Sequence, residues 1–360
     1  MRKEQHSSQL RQYERFVKRK KAALLISIII TILIALYATG VGSIKIPISE
    51  ILRAVFGKAE GQFQTVIMGI RLPRVIAGVL AGAALASSGA VMQCVLRNPL
   101  ASASTLGVSQ GAAFGAAAGI VLFGGGVVNS TSAASAITIN NPWIVTVCAF
   151  VCGAISTVVI IVISQFKKDI GPGGLVLAGV ALSSLFGGGS TLLQYFADDQ
   201  KLGAIVFWTF GNLGNSSWKE LLILAVMLLA ALFYFLLNRW NYNAMESGAE
   251  TAQSLGVNTR AVMLVSMGIC SLLAATAVSF VGIISFVGLV APHIMRKFVG
   301  NDYRYLVPGS AVAGALLLIL ADTFGRSVIA PVILPIGAIT SFLGAPMFLF
   351  LLFKGGNKRG

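Results

Sequence analysis

The sequence predicts an all-α polytopic membrane protein with about ten transmembrane helices. Of its 360 residues, 56% are hydrophobic and only 11% are charged, a balance outside the range of soluble domains. Apolar stretches close to the ~20 residues that cross a bilayer recur along almost the whole chain. Because a backbone inside a bilayer must satisfy its own hydrogen bonds, stretches of this length favour helices. We expect one transmembrane domain over residues 22–354, with cytoplasmic tails at 1–21 and 355–360.

Charges, prolines and glycines bound the apolar stretches and define the predicted spans. The first stretch follows a basic N-terminus and is too long for the core of a signal peptide, so we interpret it as an uncleaved span. The sequence after Arg260 fits either one long broken helix or a hairpin at Ser279 to Gly282. The ten predicted spans are 22–42, 72–95, 103–124, 143–164, 174–196, 218–238, 261–280, 283–298, 306–325 and 336–353.

The distribution of positive charge predicts the orientation. With the N-terminus inside, Lys and Arg residues favour the inner side, and an even number of spans places both termini in the cytoplasm. The net charge of +15 does not indicate a nucleic-acid partner, because the basic residues form short runs between apolar spans. We therefore expect a multi-pass protein of the cytoplasmic membrane, surrounded by the lipid bilayer.

Three arginines lie at the predicted outer ends of spans, where the positive-inside rule disfavours them. Arg71 and Arg74 open the second span in the run RLPR, and Arg326 lies at the end of the ninth. A guanidinium is a planar set of donors that pairs with carboxylates, so the three residues suit an acidic docking partner. The alternatives are contact with lipid phosphates and, for Arg326, a local pair with Asp322 one turn earlier.

Glycine and proline indicate close packing in some spans and a pathway in another. Small residues recur every fourth position in the second and third spans, a pattern that lets helix backbones approach closely. Pro172 and Gly173 precede or open the fifth span at its inner end, and Gly187 to Gly189 interrupt its outer half. Irregular backbone at membrane depth is tolerated where it lines a water-filled path, so we expect this span to line a pathway. The Gly-interrupted stretch 198–218 predicts an outer surface or re-entrant helix.

Absent motifs narrow the function. All twelve acidic residues and both histidines map to loops or span ends, whereas an ion-coupled carrier keeps such a residue within the bilayer. No phosphate-binding G-x-x-x-x-G-K-[ST] motif occurs, so an ATP-driven engine would lie on another chain. No metalloprotease motif or nucleophile elbow is present either. The four cysteines fall in apolar spans, as small buried side chains do. The sequence predicts a transport subunit that is not an enzyme and has no cofactor or metal site.

A polar inner loop between the sixth and seventh spans carries a predicted surface helix. Residues Ala244 to Leu255 form an amphipathic pattern, and Gly256 supplies a C-terminal stop. A short exposed helix between spans is what a membrane subunit presents to a groove on a cytoplasmic motor, and a simple connector is the alternative.

Several long motifs occur in one order along the chain from about residue 45 to 354. They are RLPR at 71–74, GAALASSGAVMQ at 82–93, RNPLASASTLGVSQGA at 97–112, LAGVAL at 177–182, ETAQSLGV at 250–257, FVGLVAPHIMR at 286–296 and LPIGAITSFLGAPMF at 334–348. Together they resemble the FecCD family, the permease subunits of ABC importers for iron-siderophores, haem and cobalamin. Two departures are Ser-Ala-Ser-Thr after Ala101, where many members have an acidic or small residue and a proline, and Gly-Pro-Gly-Gly at 171–174, where some carry hydroxyl residues.

The resemblance implies roles for particular residues. Arg71, Arg74 and Arg326 match the outer arginines that receive acidic residues of an extracytoplasmic substrate-binding protein. The predicted surface helix, about 244–256, matches the coupling helix that sits in the ATPase subunit. Its matching residues are Gly248, Glu250, Ala252, Leu255 and Gly256.

The resemblance also implies a gate and a pathway. Pro172 and Gly173 match the inner gate before the fifth span, in which Gly187 and Gly188 also lie. Trp208, Gly211 and Gly214 match a short outer helix beside the pathway, and Pro292, His293 and Arg296 match an inner motif of structural role.

The function implied is that of one permease half. An identical or paralogous permease subunit would complete the path, and a cytoplasmic ABC ATPase dimer would drive the import of an iron-siderophore. Haem or cobalamin import is the alternative, since nothing in the pore-facing sequence separates these cargoes. An ion-coupled carrier is the remote alternative, and an acid in mid-span would distinguish it.

Overall fold

The computed structural model describes residues 2–42, 46–57, 61–125, 141–167, 170–329 and 332–356, and all regular structure within them is helical. A π-helical turn (Ile67–Arg71) leads into α4, and a 3₁₀ turn (Ser104–Leu106) precedes α5. The helices are α1 (Arg2–Gly40), α2 (Ile48–Val55), α3 (Gln62–Val66), α4 (Leu72–Val95), α5 (Val108–Val121), α6 (Pro142–Phe166), α7 (Pro172–Tyr195), α8 (Asp199–Thr209), α9 (Trp218–Leu237), α10 (Arg239–Glu246), α11 (Ala249–Ser254), α12 (Thr259–Val281), α13 (Val287–Val299), α14 (Tyr303–Ser327) and α15 (Ile336–Gly356).

Each of the ten predicted spans coincides with one helix, which confirms the all-α polytopic prediction. Among the described residues, seven helical segments are long and apolar enough to cross a membrane, and they belong to α1, α3–α4, α6, α7, α9, α12 and α14. The other three predicted spans are α5, α13 and α15. With 14 and 13 residues, α5 and α13 are about 20 Å long, shorter than the ~30 Å of a bilayer core.

Helix α4 lies at the centre of the bundle and packs on α9, α12, α13 and α14. Its small residues permit this, because a Cβ on Gly82 would overlap the Gly314 carbonyl of α14, and one on Gly89 would overlap the Gly288 carbonyl of α13. Gly111 and Gly115 of α5 approach the α6 backbone in the same way. The small-residue stripes therefore pack helices closely, as predicted.

The sequence between α12 and α13 is broken, as both expectations required, but the break lies at residues 282–286 and not at Ser279 to Gly282. Helix α12 continues through Val281 and ends at Gly282, whose φ is +76°. Residues 282–286 are not helical, and α13 starts after Phe286, where it packs against the middle of α4 at Gly89. Helix α13 thus starts inside the bundle.

The predicted interruption of the fifth span is wrong. Helix α7 runs continuously from Pro172 to Tyr195, through Gly187 to Gly189. In a bilayer no water replaces a broken backbone hydrogen bond, so a glycine run is retained as helix.

Candidate functional site

The structure brings the three predicted arginines together at one end of the bundle, the arginine end. Asp322 of α14 lies between Arg74 and Arg326. Arg74 donates from Nε and Nη2 to Oδ1 of Asp322 at 2.9 and 2.8 Å, and Arg326 Nε lies 2.9 Å from Oδ2. The local Arg326–Asp322 pair considered as an alternative is therefore present, and Arg74 shares the same carboxylate.

Two of these arginines also cap the end of α1. Arg71 donates from Nη1 to the carbonyl oxygens of Thr39 and Gly40 at 3.1 and 2.9 Å. Arg326 donates to those of Ala38 and Val41, both at 3.1 Å. Carbonyls at a helix C-terminus have no intrahelical partner and carry partial negative charge, so guanidiniums stabilise them. Sequence reasoning missed these contacts, because they join residues more than 30 positions apart.

The arginine cluster (Arg71, Arg74 and Arg326) keeps excess positive charge: among the described residues, the Asp322 carboxylate pairs with both Arg74 and Arg326 and so balances only one of these two charges. The side chains of Arg74 and Arg326 are 11% and 9% exposed. An acidic partner would reach only the edges of this cluster.

Helix α8 lies beside the arginine cluster. Gly214, which follows α8, lies so near Arg74 that an added Cβ would be 3.0 Å from its Nη1. Gly211 has a φ of +73°, and an added Cβ there would meet the carbonyl oxygens of Val281 and Ile283. Trp208 precedes this contact, and its own carbonyl abuts Gly282. The stretch 198–218, predicted as an outer surface or re-entrant helix, therefore contains a helix, and the residues that follow it adjoin both the arginines and the break after α12.

The opposite end, the loop end, carries α10 and α11. Helix α4 links the two ends: it starts beside the arginine cluster and ends near Cys94, whose thiol donates to the Tyr242 carbonyl of α10 at 3.4 Å. The predicted single helix over 244–256 is wrong. Two helices meet at Gly248, whose φ of +122° breaks the helix, while Gly256 (φ +82°) is the stop that the sequence predicted.

The two helices of the loop end differ in exposure. On α11, Ala252 is buried, Glu250 is exposed, and Leu255, which follows the helix, is 69% exposed. On α10, Tyr242 and Met245 are buried. Burial raises the pKa of the Tyr242 phenol, whose oxygen lies 2.8 Å from Ser266 Oγ of α12. Helix α11 therefore forms the accessible surface, and α10 belongs to the bundle.

A cavity of about 450 Å³ opens behind α10. Its lining includes Gln93, Arg97, Glu246, His293 and Arg296. Arg296 donates to Gln93 Oε1 at 2.5 Å, and His293 Nδ1 lies 3.1 Å from the Leu289 carbonyl. These contacts lie within the bundle, between α4 and α13 and within α13.

Four of the predicted gate and pathway residues lie on α7, separated along its length, and the fifth, Trp208, lies on α8. Pro172 and Gly173 form the first turn of α7. This turn lies near the loop end, because α7 follows closely after α6, and the end of α6 contacts the start of α12: Arg260 donates to the Ser164 carbonyl. An added Cβ on Gly187 or Gly188 would meet nothing within 4 Å. Much of α7 is exposed in the single chain, including Leu177, Leu185 and Leu192.

The described part of the chain contains no group of three His, Cys, Asp or Glu side chains arranged to hold a metal ion. The fold and the contrasting ends define a polytopic helical protein of the membrane-transport class. Residues 28–354 match the model of the FecCD transport family, and the chain belongs to this family. The family is that of ABC transporter permease subunits, whose ATPase is a separate subunit.

Three relatives extend this result. An ABC transporter permease protein of Methanocaldococcus jannaschii is 49% identical over 95% of this chain and 97% of its own length. A permease of the Fe(3+)-citrate import system of Bacillus subtilis is 35% identical over 95% and 98%. The hemin transport permease of Yersinia pestis is 37% identical over 81% and 84%.

A solved structure has the same architecture. It is described as an inward-facing conformation of a metal-chelate type ABC transporter, and it superposes with a TM-score of 0.78 at 28% identity. The match covers 93% of this chain and 99% of the other.

Proposed function

We propose that this chain is one of two permease subunits of a binding-protein-dependent ABC importer, and that it carries an iron-siderophore or similar ferric chelate into the cytoplasm. The observation that carries the proposal is the placement of an arginine cluster and an exposed α11 at opposite ends of a FecCD bundle. The ferric cargo is supported by the Fe(3+)-citrate permease and by the metal-chelate transporter of the same fold.

In this proposal the arginine end faces outward and receives acidic residues of a substrate-binding protein. Its excess positive charge steers an acidic partner and fixes its orientation. Because the guanidiniums are already held by Asp322 and by the end of α1, they lose little conformational freedom on binding.

At the loop end, α11 contacts the ATPase. Leu255 offers a large apolar side chain beside the polar Glu250, as suits a helix that fits into a groove. The Gly248 break leaves α11 separate from α10, so the docking surface is a short helix of its own.

Helix α7 faces a second permease subunit and the path between the two. Gly188 is exposed and Gly187 half-buried, and the space beside both leaves room for a close backbone approach or for a passing cargo. A cargo already selected by a binding protein needs only weak contacts along the path. The described middle sections of the spanning helices offer no acid to bind a coupling ion, which disfavours the ion-coupled alternative.

Uptake tests the proposal. Radiolabelled iron as ferric citrate and as a panel of siderophores, with haem and cobalamin in parallel, is supplied to cells that lack the chain or carry it again. We expect the chain to restore uptake of a ferric chelate. A Leu255→Asp variant, changed only on the exposed surface of the loop end, should reach wild-type levels in the membrane and restore no uptake.

Other outcomes would support one of the alternative functions. If the chain restores uptake of haem or cobalamin alone, that compound is the cargo in place of a ferric chelate. The similarity to the hemin permease supports haem as the alternative cargo. Uptake that a protonophore abolishes while cellular ATP is maintained would indicate an ion-coupled carrier and contradict the proposal.

A further inference from the structure

Helix α10 is held to the bundle by a set of polar side-chain contacts. Its main attachment is the turn between α13 and α14, residues 300–302. The Asn243 side chain of α10 contacts this turn with both ends of its amide. Nδ2 donates to Asp302 Oδ1 at 3.2 Å, and Oδ1 accepts the backbone N–H of Tyr303 at 2.8 Å. One side chain thereby binds both the cap and the first residue of α14.

Asp302 is the centre of this contact. It caps α14 through the N–H of Arg304 at 3.1 Å and accepts the Arg304 side chain at 2.7–3.0 Å. Lys20 of α1 lies 3.8 Å away. Burial alone would raise the pKa of the Asp302 carboxyl, but the donors from Arg304 and Asn243 outweigh it and lower that pKa. The carboxylate is therefore charged at neutral pH and holds three helices together.

A second set of contacts holds the C-terminal end of α10. Glu246 accepts Asn301 Nδ2 at 2.8 Å and the Tyr303 hydroxyl at 3.2 Å. The rings of Tyr242 and Tyr303 lie 5.8 Å apart. The second half of α10 is thus attached to the turn that ends α13 and to the start of α14.

This turn leads directly to the interior of the bundle. Helix α13 runs from Val287 to this turn. Its first residues lie beside Gly89 in the middle of α4 and directly follow the non-helical residues 282–286. A short helix held at one end and starting at membrane depth moves as a unit, because close-packed elements shift as rigid bodies. A displacement of α10 would therefore reach the break at 282–286 along α13.

We propose that Asn243 and Asp302 form the joint that transmits movement of the ATPase contact from α11 and α10 to α13 and α14. Both are positioning residues, which act through their contact with each other: it makes the coupling segment and the interior helices move together. This inference rests on the proposed function.

The test is an exchange of the two side chains in the full complex of permease, ATPase and binding protein, reconstituted in proteoliposomes. Asn243→Asp places a second carboxylate 3.2 Å from Asp302 in place of the donor. Asn243→Asp combined with Asp302→Asn restores one amide and one carboxylate, and asparagine still caps a helix. Asn241→Asp is the matched control, because the Asn241 amide donates only within its own segment, to Asn238 Oδ1 at 2.9 Å.

The readouts are co-purification of the complex, basal ATP hydrolysis, and cargo imported per ATP hydrolysed. The cargo is labelled ferric citrate, haem or cobalamin, whichever the wild-type complex imports. We expect Asn243→Asp to assemble and to keep basal hydrolysis within about twofold, while import per ATP falls about tenfold. The exchanged pair should recover most of the import, and Asn241→Asp should behave as wild type.

Three results would contradict the proposed joint. They are unchanged import per ATP in Asn243→Asp, an equal loss of import in Asn241→Asp, and no recovery of import in the exchanged pair. Loss of assembly in Asn243→Asp would do so as well, since the contact would then serve folding. A wild-type complex without ATP-dependent import would instead refute the proposed function itself.

Discussion

At the scale of single residues, the arginine cluster combines two tasks that the sequence presents as alternatives. Arg71 and Arg326 cap the end of α1, and Arg326 also pairs with Asp322. A guanidinium has five donors, so hydrogen bonds to backbone carbonyls leave others for an incoming carboxylate. Structural anchoring and docking are therefore compatible, but a charge reversal here would disrupt both.

A neutral substitution separates the two tasks. Arg326→Gln removes the charge and the two donors to Ala38 and Val41, because the shorter side chain reaches only to about the position of Arg326 Nε. The end of α1 keeps its hydrogen bonds from Arg71, and Arg74 still neutralises Asp322. We expect binding-protein affinity to fall about tenfold at low salt and much less at high salt, because screening weakens the lost attraction. Surface binding measurements with the permease in nanodiscs would show this.

Lys201→Gln is the matched control for loss of one positive charge. Lys201 lies on α8 at the same end and pairs with Asp198 at 3.2 Å. The docking proposal predicts little change for this variant. Equal effects of the two substitutions, or a salt-independent loss in Arg326→Gln, would contradict a specific docking role for the cluster.

Sequence reasoning found the members of this cluster but not their geometry. The RLPR run and the Arg326–Asp322 spacing are local patterns, so they could be recognised along the chain. The contact of Arg74 with Asp322 joins residues 248 positions apart, and no local pattern encodes it. The contact between Asn243 and Asp302 was missed for the same reason, because the two residues are 59 positions apart and neither stands out in the sequence.

At the scale of helices, the same residue type has opposite effects in different surroundings. Gly187 to Gly189 remain helical inside α7, whereas Gly248 breaks the chain into α10 and α11. Within the bilayer, an opened backbone has no water to bind, but in an aqueous loop it does. The sequence predicted the reverse, a break at Gly187 to Gly189 and one helix through Gly248, and the error in the fifth span came from applying rules for soluble loops at membrane depth.

Two glycines give a direct test of helix packing. Gly89→Ala would drive a methyl group into the Gly288 carbonyl of α13, and overpacking of this kind costs on the order of 3 kcal/mol. Gly187→Ala meets nothing within 4 Å and improves helix propensity by up to about 1 kcal/mol. Thermal unfolding in detergent should show a clear loss for the first variant and none for the second.

The same two variants could also contradict the close contact between α4 and α13. Equal melting temperatures for both variants would mean that α4 and α13 do not approach at Gly89. If Gly187→Ala keeps its stability in the single chain but weakens association of purified subunits, α7 would gain support as the surface that faces a second permease subunit.

At the scale of the whole molecule, the sequence predicted where the apolar helices lie along the chain better than how they are arranged. Hydrophobic stretches of span length are local and decide which residues become helical. The interior starts of α5 and α13 depend on contacts such as Gly107 with Ser156 and Gly288 with Gly89, which only the folded bundle shows. The short lengths of α5 and α13 follow from those contacts, because part of each predicted span is non-helical chain that enters the bundle.

The orientation of the bundle is the remaining whole-molecule prediction, since both proposed contacts depend on it. Gln200 of α8 and Gln253 of α11 are both exposed and lie at opposite ends of the molecule. In intact cells we expect Gln200→Cys to react with a membrane-impermeant maleimide and Gln253→Cys to react only after permeabilisation. The unsubstituted protein is the control: Cys94 and Cys270 are buried, and Cys148 and Cys152 lie within the spanning helix α6. The reverse labelling would place the arginine cluster in the cytoplasm, where no extracytoplasmic binding protein can reach it, and would refute docking and coupling together.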